Sequence, residues 1–121
     1  MNEVIFAYTR KQAIEDGVLV DVSELAREAG FQFPVALTSA VFESCVAVPD
    51  ACPWQDKTGR LWDILQCLRF AVKREEETRL IRFSVMVQNN PRAPRRVELK
   101  ALCHPGDSAE PVVTVMLPDE D

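Results

Sequence analysis

The chain has 121 residues, 47% hydrophobic and 27% charged, which suits one core of ordinary domain size and argues against wholesale disorder. Its net charge of −5 sets the average surface against nucleic acid and anionic membranes. A single histidine, four glycines and no apolar run near ~18 residues leave no material for a histidine metal cage, a glycine-rich phosphate loop or a membrane span.

In chain order, Val4 to Tyr8 is a short apolar opening. Thr9 and Gln12 stand at capping-box spacing and predict a helix from Arg10 to Glu15. Asp16-Gly17 stops it, because glycine accepts the left-handed conformation at a helix end. Val18 to Val20 is a brief β-branched run, a candidate edge strand. Asp21 and Glu24 repeat the capping-box spacing and predict a helix from Val22 to Ala29, ended by Gly30. Phe31 to Pro34 reads as extended. Thr38 is placed to cap a helix over Ser39 to Ala47, with Val41, Phe42, Cys45 and Val46 as its apolar stripe. Pro49 and Pro53 bracket a loop. Thr58 then caps the longest helix, which runs to about Lys73 and buries Leu61, Ile64, Leu65, Leu68 and Val72.

After the charged break at Arg74 to Glu77 the period changes from helical to alternating. Ile81, Phe83, Val85 and Val87 mark one half-buried strand, and Val97, Leu99, Ala101 and Cys103 a second. Val112 to Leu117 is a third, and the connections between them suit a meander. Helices followed by strands predict one α+β domain over residues 1–121. Its N-terminal helices pack on a C-terminal three-stranded antiparallel meander, with a fourth strand at the edge. The outward face of the meander carries Arg82 and Lys100, with Met86 and Leu102 as candidates beside them.

The cysteines Cys45, Cys52, Cys67 and Cys103 have no Cys-x-x-Cys pair, and three sit in apolar runs where a thiol behaves as a small hydrophobe. Cys52 is the one expected to be exposed. Asp56 to Arg60 lacks phosphate-loop spacing and reads as a turn and helix start. His104 with Asp107 reads as a turn, and Cys103 beside His104 is no dyad, because neighbours on a strand point to opposite faces. No catalytic, cofactor or metal residue is expected, and an enzyme reading would have to rest on Cys52 or His104.

Charge distribution is the positive signal. Residues 1–60 carry five basic and nine acidic side chains, whereas residues 79–100 carry Arg79, Arg82, Arg92, Arg95, Arg96 and Lys100 against Glu98 alone. The basic cluster reads either as an anion site, for nucleic acid or an acidic protein, or as edge protection of a strand. The acidic residues Glu15, Asp16, Glu24 and Glu28 read either as helix-terminal electrostatics or as a docking face for a basic partner. Trp54 and Trp62 are candidates for a core plug and an interface anchor.

The blocks from Ala7 to Val22, Arg27 to Phe31, Phe33 to Thr38, Gly59 to Asp63 and Val115 to Pro118 together resemble an uncharacterised family of small accessory proteins encoded on bacterial plasmids and integrative mobile elements. The resemblance spans nearly the whole chain, departing at the Pro49–Trp54 loop and at Glu75 to Glu77. It supplies no activity to carry over. It implies a cytoplasmic accessory protein, and by association an inhibitor of host defence such as an anti-CRISPR or anti-restriction protein. The absence of a basic, apolar start after Met1 points to the same compartment.

Together these readings give a non-catalytic binding protein, monomer or homodimer, without a membrane role. Glu15, Asp16, Glu24, Glu28, Trp54, Arg92, Arg95, Arg96 and Lys100 are its candidate contacts. The expected partner is a nucleic-acid-binding host defence complex; the alternative is a nucleic-acid or regulatory module using the arginine-rich hairpin.

Overall fold

A computed structural model describes residues 8–74 and 79–121. The expected apolar opening at residues 4–7 and the charged break at 75–77 lie outside them. Helix α1 spans Arg10–Glu15, with both arms of the Thr9–Gln12 capping box formed. Gly17 follows at φ +79°. Strand β1 is Leu19–Asp21 and helix α2 is Ser23–Glu28. The second capping box does not form. Asp21 ends β1 opposite Ala36, and its Oδ1 accepts from Ser23 N at 3.1 Å and Ser23 Oγ at 2.6 Å. Val22 therefore takes the N-cap position with no side-chain bond, and the Ser23 hydroxyl accepts from Val35 N at 3.0 Å instead. Gly30 turns at φ +104° under the guanidinium of Arg69, which donates to the Ala29 carbonyl. That close approach requires a residue without a side chain.

Strand β2, Val35–Thr38, was not foreseen from the sequence. Thr38 then accepts from Val41 N at 3.3 Å and starts the short α3, Ser39–Val41, as expected. The turn widens at once into a π-helical segment, Phe42–Val46, closed by Ala47 N donating to Phe42 O at 2.8 Å. Ser44 Oγ donates to Ala40 O at 2.7 Å inside it. The wider turn sets Cys45 and Val46 side by side in the core.

Helix α4 is Lys57–Arg74. Its first turn is capped by Asp56, whose Oδ2 accepts from Gly59 N at 3.0 Å, rather than by Thr58, which is already helical. Ile64, Leu65 and Leu68 are buried as expected; Leu61 is half-buried, and Val72 lies one turn too far and is exposed.

Strands β3 (Leu80–Val87), β4 (Arg95–Pro105) and β5 (Pro111–Met116) form the predicted antiparallel meander. Among the described residues the sheet has five strands in the order β1-β2-β5-β4-β3, with β2 parallel to β5 and β1 antiparallel at the edge. The fold is thus α+β on a mixed sheet, larger than the expected meander because β2 joins its two halves. One face buries Leu37, Leu99, Ala101, Val115, Ile81 and Phe83 against α4, α2 and the π-helical turn. On the other face Ala36, Val112, Thr114 and Met116 are buried, and α1 lies on this half, with Arg10 reaching Thr114 Oγ1 at 2.7 Å and Val113 O at 2.9 Å. The β3–β4 half of that face is open, with Arg82, Met86, Arg96 and Glu98 exposed.

Candidate interaction surface

The strand order decides where the charges go. β1, flanked by α1 and α2, is one edge of the sheet, and β3 is the other, four strand spacings or roughly 19 Å away. Glu15, Asp16, Asp21, Glu24 and Glu28 are all exposed and belong to the β1 side. Asp16 accepts from the Tyr8 hydroxyl at 2.7 Å, and this bond raises the Tyr8 pKa. Glu24 and Glu28 stand four residues apart on one face of α2. Glu15 and Asp21 line a shallow hollow of about 490 Å³ that also holds Arg10, Lys11 and Asp107. Among the described residues none of these carboxylates makes an ion pair; the one ion pair there is Arg96 Nε to Glu98 Oε2 at 2.9 Å.

The basic residues divide. Arg92 lies in the β3–β4 connection and Arg95 at the start of β4, both exposed. Arg96 is exposed but held by Glu98. Lys100 is half-buried; its ammonium donates to Pro118 O at 3.0 Å and to Glu120 O, so it fastens the chain after β5 and is drawn away from the open cluster. The same stretch is pinned a second time by Thr38 Oγ1 donating to Glu120 Oε1 at 2.7 Å. Trp54 is 63% exposed in its loop, whereas Trp62 is half-buried against the core, so the two tryptophans separate into a surface and a packing residue.

His104 and Asp107 are not brought together as a base and its orienter. Asp107 accepts from the backbone N–H groups of Arg10 at 2.8 Å and Lys11 at 3.0 Å, a cap on α1 supplied from the β4–β5 turn. Those two bonds hold its pKa below the ordinary carboxylate value. His104 Nε2 lies 2.8 Å from Thr114 Oγ1 and Nδ1 lies 3.1 Å from Pro105 O. A carbonyl can only accept, so Nδ1 carries a proton; Nε2 and the Thr114 hydroxyl share the second contact, and Arg10 donates to the same hydroxyl oxygen. Cys52, expected at the surface, is fully buried. Cys67 and Cys103 are the half-buried thiols, and at Cys67 burial followed by the Asp63 charge raises the pKa, which disfavours the nucleophilic thiolate.

Two features had no counterpart in the sequence reading. Arg60 is 93% buried, and its guanidinium donates to Gln55 Oε1 and Gln88 O, each at 2.8 Å, and to Asn89 Oδ1 at 2.7 Å. Asn89 in turn donates to Ser44 O at 2.9 Å, so one buried cation ties α4, the π-helical turn and the end of β3 together. The second is a pair of hollows between α4 and the outer edge of β3. The only signal for it in the sequence was Phe70, an aromatic residue outside the buried stripe of α4; it is 69% exposed.

The chain belongs to a family of unknown function (DUF6573), whose model matches residues 1–121. No curated protein and no solved structure matches it.

Proposed function

We propose that this DUF6573 member is a non-catalytic binding protein of a mobile genetic element that blocks a nucleic-acid-binding host defence complex, in the manner of an anti-CRISPR protein. The observation that carries the reading is the placement of charge. Exposed carboxylates Glu15, Asp16, Glu24 and Glu28 collect beside the β1 edge without ion-pair partners among the described residues. A row of carboxylates on a rigid scaffold presents negative charge where a basic groove expects phosphate, and such complementarity speeds encounter as well as selecting the partner. Trp54 offers an exposed aromatic anchor of the kind that dominates binding energy once buried.

The test is reconstitution with purified nuclease and surveillance complexes from a bacterial host, reading complex formation and loss of target-DNA binding. The chain is expected to form a complex and abolish DNA binding. Combined Glu15→Gln, Asp16→Asn, Glu24→Gln and Glu28→Gln should weaken the complex by about tenfold or more. The proposal fails when no complex forms, or when the neutralised chain inhibits as well as the wild type.

A second reading, direct nucleic-acid binding by the hairpin, is favoured by Arg92 and Arg95, which are exposed and have no ion-pair partner among the described residues. It requires an electrophoretic shift at low salt whose steepness drops when both become alanine, by about 0.9 in log–log slope per lost phosphate contact.

A further inference from the structure

We propose that the outer edge of β3, with the flank of α4 beside it, is an acceptor site for an extended acidic segment of a partner protein, which adds to the sheet as a sixth strand. This surface is separate from the carboxylates at the β1 edge and does not depend on the reading above.

The backbone comes first. β3 pairs with β4 residue for residue from Leu80 opposite Leu102 to Val87 opposite Arg95, so no bulge interrupts its eight residues. Cys103 N donates to Arg79 O at 2.8 Å, and this fixes the phase of the ladder. Residues 81, 83, 85 and 87 turn their N–H and C=O groups toward β4, and Arg82, Ser84 and Met86 turn theirs outward. Among the described residues no strand lies on that side. The edge has no proline, and Arg82 is the sole charge within the strand, so the usual devices that blunt an edge are sparse.

The walls come second. One hollow, of about 370 Å³, is lined by Phe70 and Arg74 of α4, Arg82 and Ser84 of β3, and Arg96 and Glu98 of β4. Another, of about 190 Å³, continues along the same edge past Met86, with Arg60 and Asp63 of α4 behind it. Together they follow the strand from Arg82 to Gln88, the shape an added strand needs, with exposed Phe70 and Met86 as apolar rests for alternate side chains.

Charge selects the occupant. Among the described residues, Arg74, Arg82 and Arg96 face the first hollow against Glu98 alone, which Arg96 already neutralises. At the second, Arg60 is buried among neutral acceptors only, and its Nε is the one buried side-chain nitrogen or oxygen without a hydrogen-bond partner among the described residues. The first hollow therefore favours carboxylates on the incoming chain, whereas at the second Asp63 balances the buried Arg60. Nucleic acid would satisfy the arginines but not the outward row of backbone groups. A second copy would bring the same arginine-rich edge to the site and no excess of carboxylates.

The experiment uses the full chain and a fluorescein-labelled peptide of eight residues alternating valine and glutamate. Its controls are a valine–lysine peptide, the glutamate peptide N-methylated on alternate amides, and an oligothymidylate of equal length. Anisotropy should show saturable, salt-sensitive binding of the glutamate peptide, with slowed amide exchange at Arg82, Ser84 and Met86. Affinity should fall by about tenfold or more for the lysine and N-methylated peptides. Ser84→Pro, which removes an outward N–H at a position where an edge tolerates proline, should do the same. If that variant melts early, Arg82→Glu and the N-methylated peptide decide. No binding of the glutamate peptide, equal binding of its N-methylated form, equal protection by the oligothymidylate, or self-association that Ser84→Pro abolishes would each overturn the proposal.

Discussion

Asp107 shows how one residue acts away from its own loop. Its carboxylate satisfies two amide N–H groups at the start of α1 that no helical carbonyl can reach, and it adds negative charge at the positive end of the helix. Its pKa is depressed by those bonds, with an opposing push from burial and a further favourable effect of the Arg10 charge. A depressed carboxylate contributes stability that is fully present above its unfolded pKa of about 3.9 and is lost as the pH falls through the folded value. Denaturant unfolding across pH should therefore show Asp107→Asn less stable than wild type near neutrality, with the gap closing in acid below about pH 4. A gap that stays constant with pH would mean the carboxylate charge is irrelevant to the cap. His104 belongs to the same region, yet its contacts run through Thr114 to Arg10 and serve to seat α1 on β5.

Among elements, α4 and β3 are joined by more than apolar packing. Arg60 sits in the first turn of the helix and reaches the carbonyl of Gln88 just past the strand, so helix and strand are locked at one end by a buried cation. Arg60→Met keeps the bulk but leaves the oxygens of Gln55, Gln88 and Asn89 short of a donor. The expected cost is about 2–3 kcal/mol, read as a lower denaturation midpoint with unchanged m-value. A neutral result would mean that water replaces all three bonds. The contrast between strands explains what the sequence could reveal. β3 and the middle of β4 have one buried face, so Ile81, Phe83, Val85 and Val87 alternate with exposed or half-buried partners and declare themselves. β2 is buried on both faces, with Val35, Ala36 and Leu37 all fully enclosed, and two-sided burial erases the alternation. Its four residues were also too few to stand out beside the cap signal at Thr38. The interaction surface divided in the same manner. Acidic and basic runs could be counted along the chain, but which strand becomes an edge is a property of topology. The removal of Lys100 by backbone carbonyls, and the burial of Arg60 and Cys52, depend on contacts between distant segments.

At the scale of the whole molecule, the parallel pair β2–β5 joins residues 35–37 to residues 113–115, with β5 the middle strand of the sheet. β2, β5 and β4 each have a strand on both sides, and Val35–Leu37 and Thr114–Met116 are also buried on both faces of the sheet, whereas β1 and β3 are its edge strands among the described residues. Native-state hydrogen exchange should accordingly find its slowest amides in Val35–Leu37 and Val113–Val115, exchanging through global unfolding, with β1 opening more easily. Slowest exchange in α4 instead would place the stable centre in the helix layer. The two edges also differ in sign, acidic beside β1 and basic beside β3, so a partner reaching the molecule from either side meets opposite potentials across roughly 19 Å.

The parallel seam between β2 and β5 has a consequence for biosynthesis. A nascent chain emerging from the ribosome carries β2 early, yet Ala36 must lie beside Thr114, which is made 78 residues later. Until Pro111–Met116 is released, the sheet lacks the strand that joins β2 to β4, so limited proteolysis of ribosome-bound chains should find those stalled before Pro111 cleaved faster than those in which β5 has emerged.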